Sequence, residues 1–402
     1  MIARSVLIAV TISWLVATTS FVGAALADHR AGNVVVVGGT LALSGRYAEP
    51  AGRFLNAWKL YVDELNQRGG LLGHKVELRI LDDTSDTRTA IELYEKLITT
   101  DKVDLVQGPY SSAITDAVAN VMEVHRRPFV GSGASKVIWE RGRKYIFSLP
   151  QAQAPDYQNG ALHIAKELGI KRIAIIGQGS LFPRQTTAGT LELAKKLDLE
   201  VVFLQSYHKD EKDFAALLKT IEASGAEAIF SNSYFADSVV QLRQMRELGI
   251  NVKMFAGTVG PGLPKFTEEL GGAAEFVLGS TQWEPRATLG YPGIREFIKG
   301  YEKLYGVTPN YHAAGGYGVM QILEAAVKHA ASFEPEKVRD ALASITVETI
   351  KGPYKANAQG LSTMEGLAFQ IQNGKRVIVW PKHIAEANYM LPMPRWDERP
   401  SN

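Results

Sequence analysis

The sequence predicts an α/β protein of two Rossmann-like lobes, each a parallel central sheet covered by helices, joined by three hinge crossovers. Three observations predict it. From Val34 onward, short β-branched runs alternate with segments of helical period, the pattern of a parallel sheet wrapped by helices. At 402 residues the chain exceeds the ordinary size of one domain, about 100–200 residues. Two stretches, Val103 to Gly133 and Ala226 to Gly257, also share one design: strand, Ser/Tyr-containing turn, helix, short strand, glycine-rich turn.

The elements follow in order. Val34 to Gly38 forms the first strand, and the helix from about Gly52 to Gln67 places Phe54, Ala57, Leu60, Tyr61 and Leu65 on one stripe before Gly69-Gly70 ends it. Val76 to Leu81 is the next strand. Asp86 or Thr87 caps a helix whose Ala90, Leu93, Tyr94, Leu97 and Ile98 are buried, leading to the strand Val103 to Gln107. A second set begins near Gln151, with strands at Arg172 to Ile176, Glu200 to Leu204 and Ala226 to Phe230, and helices at Thr186 to Leu197 and Phe214 to Ala223. The rhythm breaks between Thr281 and Pro309, and the helix Ala313 to Ala331 follows. Gly366 to Ile371 and Arg376 to Trp380 form a hairpin, because Asn373-Gly374 favours a tight turn.

Crossovers near residues 152, 281 and 352 divide the chain into a first lobe of 28–152 and 282–351 and a second of 153–281 and 352–384. Residues 385–402 carry Pro392, Pro394 and Pro400 without any period and form an irregular tail.

Residues 1–27 carry the marks of an export signal. Arg4 precedes an apolar run from Val6 to Val22, which reaches the small-x-small site Ala25-Leu26-Ala27. The mature chain then starts near Asp28 in the periplasm. There is no cysteine, so core burial rather than disulfides must stabilise the exported protein, and a lipid-modified N-terminal cysteine is excluded. Hydrophobic content of 46% and charged content of 21% fit a globular chain and exclude disorder. Forty-four basic residues face 42 acidic ones, with signs alternating as in Lys209-Asp210-Glu211-Lys212-Asp213, which argues against a nucleic-acid partner.

In open α/β sheets, ligands lie beyond the carboxyl ends of the strands. Four turns occupy such places: Leu43-Ser44-Gly45-Arg46-Tyr47, Gly108-Pro109-Tyr110-Ser111-Ser112, Gly131-Ser132-Gly133-Ala134-Ser135 and Gly177-Gln178-Gly179-Ser180-Leu181-Phe182. Ser112 precedes a helix from Ala113 to Val124, where free amides and the positive end of the helix dipole favour an anion.

The segments Leu43-Ser44-Gly45, Gly69-Gly70-Leu71-Leu72-Gly73 and Asp82-Asp83, Gly108 with Ser111-Ser112, and the turn ending in Ser135 resemble the leucine/isoleucine/valine-binding proteins of branched-chain amino-acid ABC importers. That resemblance runs from Val34 to about Trp380 and implies a periplasmic binding protein type I fold. It also implies a monomeric solute-binding protein that serves the permease subunits of an ABC importer. By resemblance, Ser112, the Gly133 backbone and the Ser135 hydroxyl hold an α-carboxylate, while Phe182 and Tyr234 close over the ligand. Amino-acid-binding members carry an acidic residue in the turn matching Thr258-Val259-Gly260, and here Val259 stands in its place. Asp237 is the nearby candidate for a substitute, but it is expected to cap the helix that follows.

Tyr47, Tyr110, Phe182, Tyr234 and Trp283 are the aromatic residues expected near the cleft. With Val259 they point to a flat, apolar carboxylate such as an aromatic acid; a branched-chain amino acid is the alternative. Neither catalysis nor a cofactor is expected. Asp82 and Asp83 are neighbours that point to opposite faces of a strand, no Gly-x-Ser-x-Gly elbow follows a strand, and His74, His125, His163 and His312 lack metal-ligand spacing. Gly177-x-Gly179 lacks the third glycine of a dinucleotide fingerprint. A ligand-sensing regulator of the same fold would need a separate receptor to carry its signal.

Overall fold

The computed structural model describes residues 34–286 and 290–399, so the expected export signal lies outside the described residues. The first elements are β1 (Val34–Leu41), α1 (Ala48–Gln67), β2 (Lys75–Asp82), α2 (Thr87–Thr99), β3 (Leu105–Val106), α3 (Ser112–His125), β4 (Phe129–Gly131) and β5 (Ile146–Ser148). β1 is central in a parallel β2-β1-β3 sheet, and β4 pairs in parallel with β5. Asp86 caps α2 by accepting the Arg88 and Thr89 amides, each at 2.9 Å. After α1 the chain turns at Gly70, where φ is +76° and a Cβ would stand 2.0 Å from the His74 carbonyl oxygen. Only glycine fits that stop.

The chain continues with α4 (Asn159–Glu167), β6 (Arg172–Gln178), α5 (Leu181–Lys196), β7 (Glu200–Tyr207), α6 (Ala215–Ala223), β8 (Ala228–Asn232), α7 (Phe235–Glu247), β9 (Met254–Gly257), α8 (Pro264–Leu270) and β10 (Leu278–Thr281). Helices α9 (Ile294–Tyr305), α10 (Tyr311–Ala330) and α11 (Pro335–Ser344) follow, then hairpins β11 (Thr346–Thr349) with β12 (Gly352–Lys355) and β13 (Leu367–Gln372) with β14 (Lys375–Trp380). The second sheet has the order β14-β13-β10-β9-β8-β6-β7, parallel from β7 to β10 and antiparallel through β13 and β14.

Strand β6 shows how the sequence specifies that sheet. Ala174 and Ile176 enter the core on one face, Ile173 and Ile175 the core on the other. An apolar run without polar alternation is what a strand covered on both faces requires. Helix α10 returns to the first lobe and lies against α1, where a Cβ on Gly316 would come within 2.7 Å of the Phe54 carbonyl oxygen. Small residues there allow the two helices to touch.

The expected elements are present with shifted ends, α1 starting at Ala48 and β3 spanning only Leu105–Val106, and three further differences stand out. Helix α5 begins at Leu181 rather than Thr186, because Pro183 is tolerated in a first turn whose N–H groups lack partners anyway. The crossover expected near residue 352 falls on the β11–β12 hairpin, whose antiparallel pairing keeps the chain beside α10. The chain next meets the second lobe after the Gln151–Thr363 bridge, at β13. The irregular C-terminal segment is anchored: the Met393 amide donates to Lys253 O at 2.8 Å and the Trp396 indole to Ile250 O at 2.7 Å.

Candidate functional site

The turns after β3 and β4 form one polar seam. Ser111, not Ser112, is the N-cap of α3, and its hydroxyl accepts the Ile114 amide at 3.3 Å. Its φ of +79° is strained for a residue with a Cβ, a conformation that costs about 1–3 kcal/mol and clusters at ligand sites. Ser112 opens the helix, and its hydroxyl accepts the Ser135 amide at 3.1 Å. The Ser132 hydroxyl donates to Pro109 O at 2.9 Å. Ser111 and Ser112 at the start of α3, with Ser132 and Ala134 from the turn after β4, thus line one cavity.

Aromatic rings make most of the remaining wall. Tyr110, Phe54 and Tyr157 meet Phe182, Tyr234 and Tyr311 around the cavity. They support one another: Phe54 lies 5.6 Å from Tyr110, Tyr157 4.8 Å from Phe182, and Phe182 5.9 Å from Tyr234, all edge-on or tilted. Phe182 comes from the first turn of α5, Tyr234 from the cap of α7, and Val259 from the turn after β9. Both sheets therefore contribute.

The cavity also holds two basic side chains. His312, the second residue of α10, is buried, and its Nε2 has no hydrogen-bond partner. Burial, with Lys351, Arg53 and Arg376 nearby, pushes its pKa well below the usual imidazole value, so the ring is neutral. Lys351 lies in the β11–β12 turn at 1% exposure, and its Nζ donates to Gln282 Oε1 at 3.2 Å. Burial lowers its pKa to about 7. Gln282 Oε1 also accepts the Ala152 amide at 3.2 Å, and its amide group donates to the Tyr157 hydroxyl. None of the residues lining the cavity is acidic.

Of the ten residues expected from sequence, Tyr110, Ser112, Phe182, Tyr234 and Val259 line this cavity. The other five take different places. Tyr47 stands behind the wall, with its ring 4.7 Å from Tyr234 and 6.1 Å from Tyr110. Ser44 is exposed, with its amide on Asp82 and its carbonyl accepting the Ser85 hydroxyl at 2.7 Å. The Gly133 carbonyl is occupied by the Trp139 indole and the Gln151 amide, each at 3.1 Å. The Ser135 hydroxyl is fully buried without a partner, so Ser135 serves the seam through its backbone. Trp283 lies away from the cavity wall: it is fully buried, its indole donates to Ile350 O at 2.9 Å, and it packs on Phe297. A large apolar ring between the crossovers gains more from burial than from a polar rim.

Asp237 also lies off the cavity, in the first turn of α7 beside the Tyr234 amide, where it accepts from the Tyr207 hydroxyl at 3.2 Å and from Gln178 at 3.3 Å. Phe54, Gln151, Tyr157, Tyr311, His312 and Lys351 line the cavity without having been expected there. Their signal was a lysine between Ile350 and Gly352-Pro353, and a histidine opening the glycine-rich helix Ala313-Ala314-Gly315-Gly316. Among the described residues, no cluster of His, Cys, Asp and Glu could hold a metal ion, and no helix is long and apolar enough to cross a membrane.

The sequence profile of the periplasmic binding proteins matches residues 34–375. Leu/Ile/Val-binding protein homolog 7 of Brucella melitensis is 27% identical over 390 residues, spanning 92% of this chain and 95% of the relative. The branched-chain amino acid transporter substrate-binding protein LivJ from Streptococcus pneumoniae, solved in complex with isoleucine, superposes with a TM-score of 0.79 at 20% identity, over 89% of this chain and 100% of that one. A solute-binding protein of an ABC transporter from R. palustris, solved in complex with benzoate, superposes with a TM-score of 0.76 at 19% identity, over 90% of this chain and 97% of that one. With a profile match across most of its length and the two-lobed architecture of these structures, the chain belongs to the periplasmic binding protein family, as a type I member of the Leu/Ile/Val-binding kind.

Proposed function

We propose that this solute-binding protein captures a small, flat, apolar carboxylate, an aromatic acid above all, and delivers it to the permease subunits of an ABC importer. The observation that carries the reading is the absence of any acidic side chain from the cavity wall, with Val259 among the residues in its place. An amino acid's ammonium would be buried there without a counter-charge, at a cost of several kcal/mol. A carboxylate meets the opposite environment: the start of α3, the serines around it and the Lys351 ammonium. Six aromatic rings suit a flat body. The benzoate held by the R. palustris protein supports the same choice of chemistry.

The name of the Brucella relative favours a branched-chain amino acid instead, and one titration series separates the two. Benzoate-like, phenylpropenoate-like and phenylacetate-like acids are titrated calorimetrically beside leucine, isoleucine, valine and phenylalanine. The acids are expected to bind more tightly than the amino acids. Micromolar binding of an aliphatic amino acid, with no response to any acid, would overturn the reading.

A further inference from the structure

The tip of a two-residue hairpin is ordinarily a solvated place, yet the β11–β12 tip is buried, with Ile350 at 0% and Lys351 at 1% exposure. Its lysine reaches the cavity wall. The Lys351 ammonium has only a neutral acceptor, the Gln282 carboxamide at 3.2 Å, and among the described residues no carboxylate pairs with it. The two arginines near His312 carry acids of their own, Arg376 with Glu284 at 3.2 Å and Arg53 with Glu49 at 2.6 Å. A buried ammonium without a counter-charge is unfavourable unless something else supplies that charge.

Resting on the acid-binding reading above, we infer that Lys351 is a binding residue whose ammonium pairs with the acidic group of the ligand, so that the cavity selects organic anions through the β11–β12 tip. No position matched by resemblance to the family assigns this role to Lys351. The other groups facing this side of the cavity leave Lys351 as the charge donor. His312, from α10, is held neutral by burial. Tyr157, whose hydroxyl meets the Gln282 amide, has its pKa raised by burial and stays protonated. Arg53 and Arg376 are paired as described. An anion beside Lys351 favours its protonated form, so binding takes up a proton wherever the free lysine is deprotonated, above a pKa of about 7.

The test uses the full protein with benzoate as the probe, titrated from pH 6 to 9 in pairs of buffers that differ in ionisation enthalpy. Benzoate remains ionised across this range. The wild type is expected to take up close to one proton per benzoate at pH 8, and to lose about tenfold in affinity per pH unit above the free lysine's pKa. Lys351→Met fills the same space without charge and is expected to bind benzoate about 10- to 150-fold more weakly at pH 6, with no proton uptake. Wild-type affinity in Lys351→Met, or no proton uptake by the wild type at pH 8, overturns the assignment of Lys351 while leaving the acid reading in place. A wild type that binds leucine but no acid overturns both.

Discussion

The Ser112 hydroxyl accepts the Ser135 amide at 3.1 Å, so one side chain fastens the start of α3 to the turn after β4. The two serines therefore do different work. Ser112→Ala leaves the buried Ser135 N–H unpaired and is expected to lower stability by about 1–3 kcal/mol and to weaken ligand binding as the seam loosens. Ser135→Ala removes a hydroxyl that has no partner and is expected to change either quantity by less than about 0.5 kcal/mol. Denaturant unfolding and calorimetry on both variants check this, and equal effects would count against the seam.

Asp237 gives a pH-dependent prediction that separates stability from binding. Burial raises its folded pKa to about 6, above the ordinary 3.8. The folded state therefore holds this proton more tightly, so the carboxyl's contribution to stability is complete below the unfolded value and is lost as pH rises through about 6. Asp237→Asn is expected to raise stability at pH 8 by up to about 3 kcal/mol and to leave it little changed at pH 3. Benzoate affinity should stay at the wild-type value, because Asp237 does not line the cavity. A large loss of leucine binding in this variant would instead make Asp237 an ammonium partner.

Arg46, in the turn between β1 and α1, donates to Lys209 O and to the Asp210 carboxylate just after β7, linking the two lobes at the rim. The pair is partly exposed and screened by salt, so it adds little to folding stability, and the expected effect of losing it is a looser approach of the two lobes. Arg46→Ala is expected to increase the radius of gyration without ligand and to weaken binding by no more than about fivefold, mainly through faster release. Small-angle scattering and stopped-flow kinetics measure both. An unchanged scattering curve at low salt would remove Arg46 from the closing contact.

The fold was legible because its signals are local and repeated. The both-face burial of Ile173 to Ile176, the cap at Asp86 and the Asn373-Gly374 turn each leave a pattern within a few residues. Half of the expected site residues line the cavity for a similar reason, since they lie in turns at strand ends, where ligands of such sheets gather. Trp283 lies off the cavity, and the sequence could not show this, because an aromatic residue beside a polar turn looks the same whether it faces a cleft or seals a crossover. Lys351 and His312 went unseen because their burial depends on partners far away in the chain: Gln282 for the lysine, Phe54 and Tyr110 for the imidazole.

The acceptor that holds Lys351 has a consequence for how such a receptor could change its diet. Gln282 differs from glutamate by one atom, and Ala152 asks only for an oxygen at that place. A glutamate there would satisfy the lysine from within, leave the cavity electrically balanced and, on the proposed reading, remove its preference for anions. It would also confront the Tyr157 hydroxyl with an acceptor where it now meets a donor. On the proposed reading, selection of acids by Lys351 depends on Gln282 staying neutral, and a lineage could exchange organic anions for neutral nutrients at this codon without redrawing any of the aromatic wall.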